Sequence, residues 1–259
     1  MAMKYGDIYL LGQHRLMCGD ATKRDDVLKL VGNEKINLVL TDPPYGMKCQ
    51  SKDGAIGGSK KFTGVIFMRN GKPREPRILN AIKRPQLIGD NSSESARKNY
   101  EIVKDLADTL IFWGGQYFAD FLPVSGGWLF WDKRNTGNSF SDGELAWTNK
   151  GKRVRKYTFL QNGCCRQGSR KLAGGLTLLH PTQKPVELHM QILQDFSHEW
   201  DVVLDCFGGS GTTLIACEQV GRKCLMMEIS EDYCNIICDR FQKLTGIQPV
   251  KEGENEDVE

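Results

Sequence analysis

VVLDCFGGSGTTLIACEQVGRKCLMME, residues 202–228, carries the strongest fold signal in the chain. An apolar run over Val202–Phe207 leads into a glycine-rich turn, then a helical stretch over Thr212–Val220 closed by Gly221 and a second apolar run over Lys223–Glu228. Short apolar runs separated by a helical stretch are typical of neighbouring parallel strands that are buried on both faces. The segment therefore predicts strand, helix, strand, and a further helix from Ser230 to Gly246 completes the pattern.

The same alternation recurs nearer the N-terminus. Other segments with these signals are the strands His14–Asp20, Ile36–Asp42, Leu110–Trp113 and Trp128–Asp132, and the helices with Thr22 as N-cap and Gly32 past the end, over Tyr100–Leu110, and from near Pro185. The predicted fold class is α/β, with a doubly wound, mostly parallel sheet and helices on both faces.

Composition describes a globular protein. The 259 residues are 40% hydrophobic and 26% charged, and the apolar runs are too short to cross a membrane. Nine scattered cysteines have no metal-ligand spacing, and the N-terminus has no export signal. We expect reduced thiols, no metal site, no membrane contact and a cytoplasmic location.

Positive charge is concentrated in two segments, although the net charge is only +3. Residues 46–99 contain twelve Lys/Arg and four Asp/Glu, and residues 151–172 contain seven Lys/Arg and no carboxylate. Solvated basic loops are one interpretation. A surface for a polyanion, most commonly nucleic acid, is the interpretation that we favour.

A nucleotide cradle is predicted where the first strand of the quoted stretch ends. Gly208, Gly209 and Gly211 let the backbone turn sharply and approach a ligand, and the next helix offers unpaired N–H groups. Glu228, at the end of the following strand, can accept hydrogen bonds from ribose hydroxyls. Asp205 would repel a pyrophosphate and suits a cationic group. The turn alone leaves open a dinucleotide, another adenosine cofactor, or a structural turn.

A polar tip follows the strand that ends near residue 42, at the carboxyl edge of the predicted sheet, where ligands bind in such folds. Asp42-Pro43-Pro44-Tyr45 is stiff, since each proline restricts the residue before it and lacks an N–H group. Asp42 and the Pro43 carbonyl can accept both N–H bonds of an amino group on a planar ring, and Tyr45 can stack on that ring. A rigid turn with a solvated aspartate is the alternative.

Three motifs together resemble the DNA amino-methyltransferases that use S-adenosylmethionine. They are DPPY at 42–45, HPTQKP at 180–185 and DxFxGxGTT at 205–213, in the order of the permuted β group, in which the catalytic motif precedes the cofactor loop. The resemblance implies a Rossmann-like methyltransferase fold, circularly permuted, with a basic insertion and target-recognition region. Trp113-Gly114-Gly115 and Trp131-Asp132-Lys133 resemble strand ends of the family, and His14–Asp20 would lie beside the strand at 223–228.

By this resemblance, the activity is methyl transfer from S-adenosylmethionine to N6 of a flipped-out adenine in DNA. The catalytic residues would be Asp42, Pro43, Pro44 and Tyr45. The cofactor-binding residues would be Asp20, Ala21, Thr182, Lys184, Asp205, Phe207, Gly208, Gly209, Ser210, Gly211, Thr212 and Glu228. Asp205 and the loop N–H groups would hold the methionine part and Lys184, with Thr182, its carboxylate. Glu228 would hold the ribose, and Asp20 would face the cofactor's adenine amine.

The resemblance also implies a division of the chain. Residues 1–246 would form a single catalytic domain, with 46–99 as a mobile basic loop region and 134–179 as the target-recognition region. Residues 247–259 are expected to be a disordered acidic tail. The expected partner is double-stranded DNA, and a homodimer and a partner nuclease both stay open.

Three other functions remain as alternatives. N4 of cytosine is the nearest, because the same tip serves both amines; Asp rather than Ser at position 42 favours adenine within the family. A nicotinamide-dependent oxidoreductase would share the glycine turn and Glu228 but would not explain DPPY or HPTQKP. An inactive DNA-binding protein would not explain why Asp42, Asp205 and Glu228 are all present.

Overall fold

The computed structural model describes residues 2–46, 92–134, 141–160 and 183–254, together with four two-residue strands between these ranges. The helices are α1 (Arg24–Val31), α2 (Glu94–Val103), α3 (Val186–Phe196), α4 (Thr212–Val220) and α5 (Glu231–Thr245), with one 3-10 turn at Gly115–Tyr117. None of the helices in this part of the chain is both long and apolar enough to traverse a lipid bilayer.

In the described part of the chain, fourteen strands accompany these helices. They are β1 (Ile8–Leu11), β2 (His14–Cys18), β3 (Ile36–Thr41), β4 (Met68–Arg69), β5 (Lys72–Pro73), β6 (Ala107–Trp113), β7 (Gly127–Asp132), β8 (Gly143–Thr148), β9 (Val154–Thr158), β10 (Gln161–Asn162), β11 (Cys165–Arg166), β12 (Val202–Asp205), β13 (Lys223–Glu228) and β14 (Val250–Lys251). β4 pairs with β5, and β10 pairs with β11, each antiparallel.

The other ten strands form one sheet in the order β14-β1-β2-β13-β12-β3-β6-β8-β7-β9. The five strands at its centre are parallel to one another: β2, β13, β12, β3 and β6. β1 and β14 are antiparallel at one side, β8 runs antiparallel between β6 and β7, and β9 is parallel to β7. The prediction of a mostly parallel α/β sheet is confirmed, as is the placement of β2 beside β13, where Cys18 pairs with Glu228.

Apolar side chains on both faces of the sheet account for this arrangement. In β3, Leu38 and Leu40 pack into the cluster that contains α3, α4 and α5, whereas Val39 between them packs into the cluster with α1 and α2. Successive strand residues point to opposite faces, so an apolar run is buried on both. Each fully buried aliphatic side chain contributes roughly 1.5–3 kcal/mol, which gives the site a rigid base.

One edge of the sheet collects the polar strand ends. Because the five central strands run the same way, their carboxyl ends lie together. The residues at or just after these ends are Asp20, Asp42, Gly114, Asp205 and Glu228. β7 also ends at this edge, where Lys133 follows it, and the antiparallel β8 begins there, with Glu144 as its second residue.

The structure corrects the prediction of a helix over Tyr100–Leu110. The helix is α2, Glu94–Val103, and residues from Ala107 onward belong to β6. Ala107–Phe112 pair in parallel with β3, and this sheet pairing overrides a local apolar spacing that also fits a helix.

Thr22 is not the N-cap of α1. Lys23 occupies that position, without a side-chain cap, while the Thr22 hydroxyl donates to Asp20 Oδ1 at 2.7 Å. The Thr22 hydroxyl therefore bonds within the turn after β2 and does not cap the helix. Gly32 does end the helix, as predicted.

The expected disordered tail at 247–259 is wrong over its first part. Val250 and Lys251 form β14, which pairs with Leu10 and Tyr9 of β1, and Lys251 forms an ion pair with Asp7 at 2.8 Å. The open edge of β1 supplies the hydrogen bonds that order this segment. Residues 255–259 lie outside the described residues.

Candidate active site

Asp205 joins the two strand ends that carry the predicted motifs. Its Oδ1 accepts hydrogen bonds from Thr41 Oγ1 at 2.9 Å and from the Phe207 N–H at 3.1 Å, and its Oδ2 accepts from Thr213 Oγ1 at 2.6 Å. The residue is 3% exposed, and burial raises the pKa of its carboxyl to about 6 in spite of these bonds. The glycine-rich loop and the DPPY tip therefore lie side by side.

Glu228 closes the other side of the glycine-rich loop. Its Oε2 accepts from the Gly209 N–H at 2.7 Å and its Oε1 from the Ser230 N–H at 2.9 Å. Burial raises the pKa of this carboxyl to about 7. Gly211, the N-cap of α4, has a φ of 79°, a left-handed conformation that favours glycine. The loop thus directs a helix N-terminus and a buried carboxyl to one place.

Asp20 and Ala21 follow β2 next to this loop. The Gly19 N–H donates to the Glu228 carbonyl at 3.0 Å, which ties the end of β2 to the end of β13. Asn99, buried on α2, donates its side-chain N–H to the Ala21 carbonyl at 3.0 Å. Asn99 is a residue that the sequence analysis missed, because an asparagine within a helix has no distinctive pattern.

The remaining predicted loop residues lie between these two carboxyls. Gly208 donates its N–H to the Met227 carbonyl at 2.8 Å, the Ser210 carbonyl accepts from Arg240 at 2.8 Å, and Thr212 is the buried first residue of α4. Phe207 packs in part against the α1/α2 face. Thr182 lies outside the described residues.

Both carboxylate oxygens of Asp42 have protein partners. Oδ1 accepts from the Tyr45 hydroxyl at 2.5 Å, and Oδ2 accepts from the Lys184 ammonium. Burial, together with the charge of Asp42, holds the pKa of Tyr45 well above its usual value. The Tyr45 ring stacks on Tyr117, with ring centres 5.1 Å apart, and Tyr117 is 43% exposed. The DPPY tip thus combines a carboxylate with an aromatic pair.

The side chain of Lys184 is buried between two carboxylates and an aromatic ring. Its side chain is 3% exposed, its Nζ lies 3.3 Å from Glu144 Oε2, and it sits 4.9 Å from the centre of the Trp113 ring. Burial acts to lower the pKa of this ammonium, but the charges of Asp42 and Glu144 outweigh it and raise the pKa. In the structure its ionic partners are these two carboxylates; the contact with a cofactor carboxylate stays a prediction.

Glu144 and His189 complete the site, and the sequence analysis assigned neither to it. Glu144 also accepts from Lys133, and although burial acts to raise its pKa, Lys184 and Lys133 bring the pKa below its usual value. His189 Nδ1 lies 3.1 Å from Thr213 Oγ1, and burial lowers the pKa of the ring to about 3. Since Thr213 donates to Asp205, the neutral histidine donates to Thr213.

Known proteins share this architecture. The chain is similar to the type II methyltransferase M.HpaI of Haemophilus parainfluenzae, with 23% identity over 88% of this chain and 74% of the relative. It is similar in fold to the crystal structure of the M1.HpyAVI–SAM complex, with a TM-score of 0.52, 20% identity, and coverage of 87% of this chain and 97% of that one.

A second solved structure has a similar fold. PvuII DNA methyltransferase, described as cytosine-N4-specific, matches with a TM-score of 0.51 and 17% identity over 87% of this chain and 85% of its own. The profile of the N6_N4_Mtase family, described as DNA methylase, matches residues 63–239, more than half of the chain. The resemblance inferred from the motifs is confirmed: the chain belongs to this family of DNA methylases.

Proposed function

We propose that the protein transfers a methyl group from S-adenosylmethionine to N6 of adenine in DNA, as a member of the permuted β group. One observation carries the proposal. The carboxyl ends of the neighbouring parallel strands β3 and β12 place the DPPY tip against the glycine-rich loop, joined by the 2.9 Å bond from Thr41 to Asp205. A methyl donor in the loop and an amine at the tip would be neighbours.

The loop fits an adenosine cofactor that carries a positive charge. Burial raises the pKa of the Asp205 carboxyl. A cationic group bound beside it would stabilise its ionised form and would be stabilised in return. Glu228 would accept from the ribose hydroxyls, Asp20 would face the adenine amine, and the N-terminus of α4 lies in the same loop. When bound, S-adenosylmethionine supplies a methyl group already activated by its sulfonium.

The DPPY tip fits the amino group of a base. Asp42 and the Pro43 carbonyl would accept its two N–H bonds, which raises electron density on the nitrogen and orients it. The Tyr45–Tyr117 pair provides an aromatic surface for stacking. The target base must leave the duplex to reach this tip, at a cost of a few kcal/mol.

We assign the DNA-binding surface from the edge of the sheet at which each basic segment lies, relative to Asp42. Lys152 and Arg153 lie in the β8–β9 connection, at the sheet edge opposite Asp42, whereas β9 ends on the side of Asp42. Because β8 and β9 belong to the main sheet, we assign target recognition to residues 135–140 and 159–179 of the region 134–179. The basic segment 46–99 lies largely outside the described residues, and its role on the phosphates stays a proposal.

Methyl transfer to unmodified bacteriophage DNA tests the function. With tritiated S-adenosylmethionine, we expect label in the DNA, and mass spectrometry of its nucleosides should show N6-methyladenine. N4-methylcytosine instead would contradict the base that we propose while leaving the DNA methylase intact. Binding of a nicotinamide cofactor without methyl transfer would overturn the proposal.

Gly114→Ala should disrupt the tip. Gly114 has a φ of +73°, and a Cβ there would lie 2.2 Å from Cε1 of Tyr45, far inside contact distance. Because Tyr45 would have to move away from Asp42, we expect kcat for methyl transfer to fall about 100-fold, with the free energy of unfolding lowered by about 1–3 kcal/mol.

Gly246→Ala is the matched control for Gly114→Ala. Gly246 has a similar φ of +76°, but a Cβ added there would have no heavy atom within 4 Å, so this variant carries the backbone strain alone. We expect its kcat to equal that of the unmodified protein. An equal loss in both variants would contradict the role of Tyr45 and assign the effect to strain.

A further inference from the structure

We propose that Glu144 is a positioning residue for the methyl-transfer site: it retains the Lys184 ammonium when Asp42 releases that ammonium in order to bind the amino group of the target base. The inference rests on the function proposed above. It concerns the step in which the base enters, and it assigns a role to a side chain at the start of β8 that the predicted motifs do not include.

Asp42 is already bonded to two protein donors when the base enters. In the structure one carboxylate oxygen accepts from Tyr45 and the other from Lys184, so the amino group of a base meets an acceptor already in use. The free protein thus holds its catalytic carboxylate in an internal ion pair. An amino group that bonds to Asp42 therefore competes with the Lys184 ammonium, which neutralises the charge that the base would draw on.

Lys184 cannot respond by moving its charge into water. Its side chain is 3% exposed and sits against the Trp113 ring. An ammonium that is buried and unpaired is strongly disfavoured, because the surroundings replace neither its hydration nor its counter-charge. Apart from the cofactor carboxylate that is predicted to contact Lys184, the charge therefore needs a second carboxylate of the protein itself within reach.

Glu144 meets this requirement. Its Oε2 is 3.3 Å from Lys184 Nζ, already at ion-pair distance, and its Oε1 is bonded to Lys133. Lys133 itself lies over the Trp131 ring, 4.8 Å from its centre, so this second cation holds Glu144 at the sheet edge. Lys184 can then leave Asp42 by a small shift without losing its last counter-ion.

Among the described residues, few charged and titratable groups surround Lys184. Asp42 and Tyr45 face it from the tip after β3, Glu144 from β8, and His189, which is neutral, from α3, with Lys133 behind Glu144. Replacing Glu144 with a neutral residue removes one of the two charges that keep Lys184 protonated. Lys184 should then lose its proton at lower pH and release Asp42 as it does so.

The test compares Glu144→Gln with the unmodified protein, using tritiated S-adenosylmethionine and unmodified bacteriophage DNA. At pH 7 we expect the KM for DNA to rise about 10-fold or more, with the calorimetric Kd of S-adenosylmethionine changed less than about threefold. As the pH rises above 7 the deficit should shrink, since Lys184 without the charge of Glu144 loses its proton at lower pH than in the unmodified protein. Glu144→Asp, which keeps the charge, should recover much of the loss.

Glu34→Gln is the matched control, because Glu34 forms a 2.6 Å ion pair with Lys223 at the opposite edge of the sheet. It should behave as the unmodified protein. A Glu144→Gln protein with an unchanged KM for DNA, or with a deficit that does not depend on pH, would overturn the inference while leaving methyl transfer established. If the Gln variant does not fold, Glu144→Asp, whose shorter side chain moves the carboxylate away from Lys184, must still raise the KM for DNA to a smaller extent, or the inference is wrong.

Discussion

Asp42→Ala is expected to abolish measurable methyl transfer, with kcat lowered by about 1,000-fold or more. The substitution removes the carboxylate that would bind the amino group of the base. Lys184 keeps Glu144 as its counter-ion at 3.3 Å, so the pocket should remain folded around it. The measurement is single-turnover transfer of tritium to DNA, with circular dichroism to verify folding.

Cofactor binding separates this result from a general collapse of the site. The link between the DPPY tip and the glycine-rich loop is the hydrogen bond from the Thr41 hydroxyl to Asp205, and Asp42→Ala leaves this bond in place. We therefore expect the calorimetric Kd of S-adenosylmethionine to stay within about threefold of the unmodified protein. Asp42→Asn, which keeps one carbonyl acceptor, should lose less activity than Asp42→Ala. Retention of full activity by Asp42→Ala would remove the catalytic assignment.

Asp205→Asn should weaken cofactor binding and at the same time stabilise the free protein. The amide cannot offer a negative charge to the amino group of the cofactor, so we expect the Kd to rise about 100-fold or more. The opposite effect on stability follows from burial, which raises the pKa of Asp205 to about 6. An ionised Asp205 is a cost to the folded state that the amide does not have.

The pH dependence of this gain has a definite sign. The carboxyl of Asp205 has an ordinary pKa near 3.8 when unfolded and about 6 when folded, so the folded state binds its proton more tightly. Its stabilising contribution is complete below about pH 4 and is lost as the pH rises through about 6. The free energy of unfolding of Asp205→Asn should therefore equal that of the unmodified protein near pH 4 and exceed it by about 3 kcal/mol above pH 7.

Chemical denaturation of both proteins at several pH values measures this difference. Burial raises the pKa of the Glu228 carboxyl to about 7, and the charge of Asp205 contributes to this rise, so the amide should also lower the pKa of Glu228 and add to the gain in stability. A variant that is less stable at pH 8 than the unmodified protein would show that the bonds from Thr41 and Thr213 outweigh the burial of the charge. In the unmodified protein, cofactor affinity should fall as the pH drops through about 6.

Predictions from local pattern succeeded where one segment contains the whole signal. The strand at Lys223–Glu228 and the helices that end at Gly221 and Gly246 lie where the apolar spacing and the glycine stops place them. Prediction failed where partners distant in the sequence decide the outcome. β6 is a strand because β3 pairs with it, and Val250–Lys251 is ordered because β1 offers an open edge.

The candidate site divides in the same way. By itself, the sequence determined that Asp42, Asp205 and Glu228 lie at the ends of apolar runs, and from this it predicted which side chains would carry the chemistry. Only the tertiary structure decided how they are paired. Glu144 reaches Lys184 because β8 runs antiparallel to its neighbours and begins at the edge where they end. Strand direction is set by contacts between distant segments, and no local pattern contains it.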